Sequence, residues 1–228
     1  MYRSHDRLII IDADGTVIDA FAAIGRAFAH HGMDLGDLVR FQKRRHLFKY
    51  LGGIKEFPRN LAKQLGKHSR KELLGTLTEV YREEAQMYEG MPELIGDLIE
   101  APGIRVGIVT RNISHEPEIT LARLFARHGI ESERLDFLHC LGLDEVKTPY
   151  FKATREYYDI NPARAFACGD EHRDYVAAQA AGMHPFIVSY GFESIERLTR
   201  KFGIPAEVIS QDPRDFAGRL RHALDLEA

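Results

Sequence analysis

Hydrophobic and polar positions along the chain follow two periods. Leu8-Ile9-Ile10-Ile11 is a short unbroken run of apolar residues, the pattern of a strand buried on both faces of a parallel sheet. After Asp19 the period lengthens: Phe21, Ile24, Phe28 and His31 fall at helical spacing, and Gly32 is placed to end that helix. From about Asp34 to Tyr88 there is no strand pattern. Leu73, Leu74, Leu77, Val80 and Tyr81 make a helical stripe, with Ser69 and Glu72 spaced as a capping box. Leu47, Tyr50 and Leu51 suggest another helix. Strand patterns resume over residues 104–110, near Phe137-Leu138, over 165–168 and 186–188, and around Val208-Ile209. Helical patterns lie between them. One carries Leu94, Ile95 and Leu98 behind Pro92, and one carries Leu121, Leu124, Phe125 and His128 ahead of Gly129. Others cover residues 151–158, Asp174 to Gly182, and Phe216 to Leu224. Strands alternating with helices predict an α/β fold with a parallel sheet covered on both faces.

Composition narrows the classes. At 228 residues the chain is one large domain or a domain with an insert. Its hydrophobic share of 44% and charged share of 29% are those of a soluble globular protein. A net charge of -3 argues against affinity for a nucleic-acid polymer. Cys140 and Cys168 give neither a disulfide framework nor zinc spacing, and fit buried thiols in a reducing cytoplasm. The first apolar run is too short and too soon interrupted for a signal peptide or a membrane span. Part of the helical insert is basic: over residues 43–72, Lys43, Arg44, Arg45, Lys49, Lys55, Arg59, Lys63, Lys67, Arg70 and Lys71 face only Glu56 and Glu72. That is either a solvated helical surface or a field for a polyanionic substrate. Leu51-Gly52-Gly53-Ile54-Lys55 is either an anion-binding loop or a plain turn between helices.

The candidate chemistry stands at the strand ends. The first apolar run stops in Asp12-Ala13-Asp14-Gly15-Thr16. Alternation along the strand sends Asp12 and Asp14 roughly the same way, past the edge where open α/β sheets bind ligands. Two carboxylates there repel unless a cation or a shared proton joins them. Gly15 permits a turn that a side chain would hinder, and Thr16 adds a hydroxyl. Thr110 ends the second long strand pattern, Lys147 lies in Val146-Lys147-Thr148-Pro149, and Gly169-Asp170 follows the third, with Asp174 beyond.

These four elements, in this order, resemble the four motifs of the haloacid dehalogenase-like phosphatases. The similarity is strongest to the phosphoglycolate-phosphatase and β-phosphoglucomutase branch, and it extends over nearly the whole chain. It implies a Rossmann-like parallel-sheet core, residues 1–18 and 89–228, with an all-helical cap at 19–88. By the same resemblance Asp12 is the nucleophile that forms an aspartyl-phosphate. Asp14 protonates the leaving oxygen and then takes a proton from water. Thr110 donates to a phosphoryl oxygen, and Lys147 balances charge on Asp12 and the phosphoryl group. Mg2+ is expected on Asp12, Asp170 and the backbone carbonyl of Asp14, with Asp174 orienting the metal shell from behind. Thr16, Arg111 and Asn112 are the expected substrate-binding residues, Arg111 either meeting a second anionic group or pairing on the surface. The implied partner is a small phosphorylated substrate, with no nucleic-acid polymer and no membrane, in a cytoplasmic monomer or homodimer.

Several positions depart from the usual pattern. Ala13 stands where a bulkier residue is common, Val17-Ile18 replaces Leu-Val or Leu-Ile, Arg111 stands where asparagine is frequent, and Glu171-His172-Arg173 fills the last motif's loop. His172 either tunes the metal ligand or faces solvent, His115 is a minor candidate, and His30-His31 reads as helix surface and core. A phosphomutase on the same core and a catalytically silent regulatory protein are the alternatives. A dehalogenase has no use for Asp14 or for a metal.

Overall fold

The computed structural model describes residues 2–34 and 69–226. The expected helix at Leu47–Leu51, the Lys43-Arg44-Arg45 cluster and the paired glycines at 52–53 lie outside the described residues. Six strands form one parallel sheet: β1 (Arg7–Ile11), β2 (Ile104–Thr110), β3 (Phe137–Cys140), β4 (Ala165–Gly169), β5 (His184–Val188) and β6 (Ile209–Ser210), in the order β3-β2-β1-β4-β5-β6. The described helices are α1 (Ala20–Ala29), α2 (Arg70–Glu83), α3 (Met91–Glu100), α4 (Pro117–Arg127), α5 (Thr148–Tyr157), α6 (His172–Ala180) and α7 (Pro213–Ala223).

β1 lies at the centre because its residues are apolar towards both faces. Ile9 and Ile11 join one core and Leu8 and Ile10 the other, all four fully buried. The first core is closed by Leu94 and Leu98 of α3, Leu121 and Phe125 of α4, and Phe216 and Leu220 of α7. The second is closed by Phe151 of α5 and Ala177 and Ala178 of α6. Each such aliphatic side chain contributes about 1.5–3 kcal/mol by leaving water. The strand order reverses direction at β1 and β4, which opens a crevice beyond their carboxyl ends. In register, Ile11 sits opposite Cys168, and the Asp12 N–H donates to the Cys168 carbonyl at 2.9 Å. The residues that follow β1 and β4 therefore meet.

The insert leaves and rejoins the core along one short antiparallel stem. Ile18 bridges Met87, Asp19 N–H donates to Gln86 at 2.9 Å, and Tyr88 N–H donates to Val17 at 2.9 Å. Of the insert, α1 and α2 are described, and they pack on each other. Asp19 caps α1 through Ala22, and the Ser69–Glu72 capping box starts α2 as its spacing predicts. The α1 stripe is shorter than the spacing suggests. Its buried residues are Ala20, Ala23, Ile24, Ala27 and Phe28, and the helix ends before His31. His31 instead lies 2.8 Å from the Thr76 hydroxyl, and His30 lies 3.3 Å from Glu84. Cys168 is buried and Cys140 is half-buried rather than buried as expected; both thiols are free. Among the described residues no helix is long and apolar enough to cross a membrane.

Candidate active site

Asp12 is the first residue past β1. Its Oδ1 accepts the Ala13 N–H at 2.9 Å and its Oδ2 lies 2.8 Å from the Lys147 ammonium. Lys147 directly precedes α5, and the same ammonium lies 2.6 Å from Asp174 Oδ1. Asp174 Oδ2 accepts the Glu171 N–H at 3.0 Å. All three side chains are buried, Lys147 to 4% exposure. Burial alone would lower the lysine, but Asp12 and Asp174 outweigh it and hold it above its ordinary range. For Asp12 the balance goes the other way. Burial, aided by Asp174, raises its carboxyl despite Lys147.

Beyond Asp12 the chain turns tightly. The Ala13 carbonyl accepts from the N–H groups of Thr16, Val17 and Ile18, and Gly15 takes φ 80°. A Cβ at Gly15 would collide with Asp170 Oδ2, and a Cβ at Gly191 would strike the same oxygen and the Gly15 carbonyl. Only glycine at both positions lets these backbones close around the Asp170 carboxylate. Asp170 Oδ2 accepts the Phe192 N–H at 2.5 Å, while Oδ1 is buried with no hydrogen-bond partner. Burial, with Glu171, Asp12 and Asp174 nearby, raises Asp170 well above the usual carboxylate range. The hydroxyls of Thr16 and Thr110 are likewise buried and unpartnered.

Asp14 is half-buried and held through both oxygens. Tyr81 donates to Oδ1 at 2.8 Å and Asn112 Nδ2 donates to Oδ2 at 2.9 Å. Burial pushes its carboxyl up to about 7, against the hydrogen bond from Tyr81 and with help from the Asp12 charge. Arg111 pairs with Glu171 at 2.6 Å rather than extending to the surface. His172 is half-buried with its ring stacked on Phe202 at 4.0 Å, and its backbone N–H donates to the buried Glu193 carboxylate at 2.6 Å. His115 is exposed.

Four carboxylates, Asp12, Asp14, Asp170 and Asp174, thus stand around one ammonium. A proton on Asp14 and one divalent cation would neutralise the excess. The ligand oxygens of Asp12, Asp170 and Asp174 lie within 4.8 Å of one another. The donors are all oxygen, and an orphaned buried carboxylate oxygen is what a hard cation satisfies. The residues present fit a magnesium ion. Both Asp174 oxygens are already engaged, by Lys147 and the Glu171 N–H, so Asp174 suits orienting Lys147 better than coordination.

A family model for haloacid dehalogenase-like hydrolases matches residues 7–182, a span that includes the four carboxylates and Lys147. The chain belongs to the haloacid dehalogenase-like hydrolases. It is 29% identical over 239 aligned residues to the N-acetylmuramic acid 6-phosphate phosphatase of Pseudomonas aeruginosa, covering 98% of this chain and 99% of that one. The fold is similar to two solved structures. One is a Thermotoga maritima protein assigned as a β-phosphoglucomutase: TM-score 0.63, 17% identity, 95% of this chain and 99% of that chain. The other is a Haemophilus somnus protein assigned as a phosphoglycolate phosphatase: TM-score 0.61, 18% identity, 95% and 97% coverage.

Two parts of this hydrolase's site had no reading in the sequence. The loop after β5 closes over the crevice: Tyr190 donates to the Thr16 carbonyl at 2.9 Å, Phe192 to Asp170, and Glu193 accepts from His172. Its position at a strand's carboxyl end is the signal that could have found it. Tyr81 had no signal, because on a helical stripe it counts only as one more core residue.

Proposed function

We propose that this hydrolase is a Mg2+-dependent phosphatase of a small phosphorylated metabolite, working through an aspartyl-phosphate on Asp12. The observation that carries the reading is the buried Asp12–Lys147–Asp174 array beside the unpartnered Thr110 hydroxyl and Asp170 oxygen. An uncommitted donor and a fixed ammonium next to a nucleophilic oxygen are what a phosphoryl group needs. Asp12 attacks phosphorus and the ester P–O bond breaks. Asp14 gives its proton to the departing oxygen. Thr110 and Lys147 hold the phosphoryl oxygens. Water then attacks phosphorus, its proton passes to Asp14, and the bond to Asp12 breaks, releasing phosphate. Asp12, Asp170 and the Asp14 carbonyl would hold Mg2+, which supplies neutralisation of phosphoryl charge when bound.

Residues 1–18 and 89–228 form the catalytic core in this proposal and 19–88 a cap that selects the leaving group. Arg111, placed next to Thr110, suits a substrate with a second anionic group. The full-length similarity to an N-acetylmuramic acid 6-phosphate phosphatase makes phosphorylated sugar acids the first compounds to try.

The test is phosphate release from a panel of sugar phosphates, sugar-acid phosphates, phosphoglycolate and nucleotides, with Mg2+ or EDTA, beside Asp12→Asn. Release that needs both Mg2+ and Asp12 supports the proposal. No release from any member, with phosphate moving between two positions of a sugar, would replace it with a mutase.

A further inference from the structure

The carboxyl of Asp14 is held from two sides by groups of different capability. Asn112 Nδ2 can only donate, and its orientation is fixed. Asn112 Oδ1 accepts the Ser114 N–H at 2.9 Å and also the Ser114 hydroxyl, and a backbone N–H cannot be reversed. Asp14 Oδ2, which accepts from Asn112, is therefore best served as the carbonyl-type oxygen. Tyr81, on the other oxygen, carries a hydroxyl that both donates and accepts. It alone can face Oδ1 in either protonation state.

Tyr81 is itself held in place by the core. The α2 turn around it is bound to the loop that follows β2. Thr78 Oγ1 accepts the His115 N–H at 2.9 Å, and Arg82 bonds Thr120 at 3.1 Å and Glu116 at 3.1 Å. Arg127 donates to the carbonyls of Tyr81 and Arg82 at 3.3 Å and of Ala85 at 3.1 Å. Asn112 and Ser114 belong to the same loop. One loop thus places both holders of Asp14, one directly and one through α2.

We propose that Tyr81 and Asn112 are positioning residues for the Asp14 carboxyl, Tyr81 holding Oδ1 from α2 and Asn112 holding Oδ2 from the loop after β2. The proposal rests on the phosphatase reading for its catalytic consequence, but the placement of the carboxyl does not depend on turnover. With one oxygen of the acid steered by Tyr81, departure of a poor leaving group depends on Tyr81 and departure of a good one does not.

Two measurements test it. The first is kcat/KM, which covers steps only up to departure of the leaving group, for wild type and Tyr81→Phe on a sugar 6-phosphate and on p-nitrophenyl phosphate. Phenylalanine keeps the ring in the core. The sugar phosphate should lose about 10- to 100-fold and the aryl ester several-fold less, so that the ratio between them falls. Equal losses on both, or no loss on either, would overturn the positioning role. The second is a pair of crystal structures, wild type and Tyr81→Phe. An Asp14 carboxyl that turns or spreads over two orientations in the variant supports the positioning role. A carboxyl with unchanged orientation overturns it. If wild type hydrolyses no monoester, the phosphatase proposal falls, while the two structures still decide what holds the carboxyl.

Discussion

Replacing Lys147 by methionine tests the buried charge array most directly. The ammonium holds Asp12 at 2.8 Å and Asp174 at 2.6 Å. At an effective dielectric of about 20, each contact attracts by about 6 kcal/mol, most of which the cost of burying the three charges takes back. Deleting only the cation leaves that burial cost without its compensation, a loss of about 3–5 kcal/mol. With unfolding entropy near 2.1 cal/mol/K per residue, 228 residues give about 480 cal/mol/K. Tm should therefore fall by about 6–10 °C in EDTA at pH 8. The pH dependence has a definite sign. Burial already raises Asp12 in the folded protein, and loss of the lysine raises it further. A carboxyl raised on folding destabilises the protein at pH values above its unfolded pKa of about 4. The deficit of the variant should thus be small near pH 4, grow as pH rises, and level off above the folded-state value. Scanning calorimetry of both proteins from pH 4.5 to 8 measures it. A Tm within 2 °C of wild type at pH 8, or a larger deficit at low pH, would refute the reasoning.

Other outcomes follow from the same geometry. Gly15→Ala forces a side chain onto Asp170 at positive φ, at a cost of about 1–3 kcal/mol in strain alone; calorimetric Mg2+ titration should show metal affinity falling with stability. Asp14 must be protonated to act as the acid, and burial places it near 7, so kcat/KM on sugar phosphates should decline above about pH 7 with unit slope. Asn112→Ala removes a donor to the ionised form and should move that limb to higher pH. Mg2+ should raise the wild-type Tm in a concentration-dependent way, and Asp170→Asn should remove the rise.

How much of this was legible varies with how each residue is positioned. Asp12, Thr110 and Asp170 end or immediately follow apolar runs, so the sheet edge was visible wherever a buried strand met a polar group. Lys147 lies in a loop whose pattern is featureless, and only resemblance marked it. Its two carboxylate partners come from the residue just past β1 and from α6, a meeting that one-dimensional periodicity does not encode. Tyr81 is buried on its helical stripe as the period predicts, but its role at Asp14 stayed hidden for a related reason. The helical period reports that a ring is buried, not where its hydroxyl ends. The partnership of Arg111 with Glu171 depends on two loops of different strands coming together, which the sheet order decides and the local sequence does not.

The paired neck at Val17–Asp19 and Gln86–Tyr88 has a consequence for how such chains diversify. Because the two connections are hydrogen-bonded neighbours, the core closes on itself whatever hangs from them, and lengthening the intervening chain adds only a slowly growing entropic cost. Under the proposed domain division, the segment between Asp19 and Thr78 is thus a graftable module. It can be exchanged for a shorter or differently charged one without disturbing the sheet, as long as the final turns of α2 come along to keep Tyr81 against Asp14. Under the proposed function, new substrate preferences would arise by swapping that module, while the phosphoryl chemistry would be inherited unchanged.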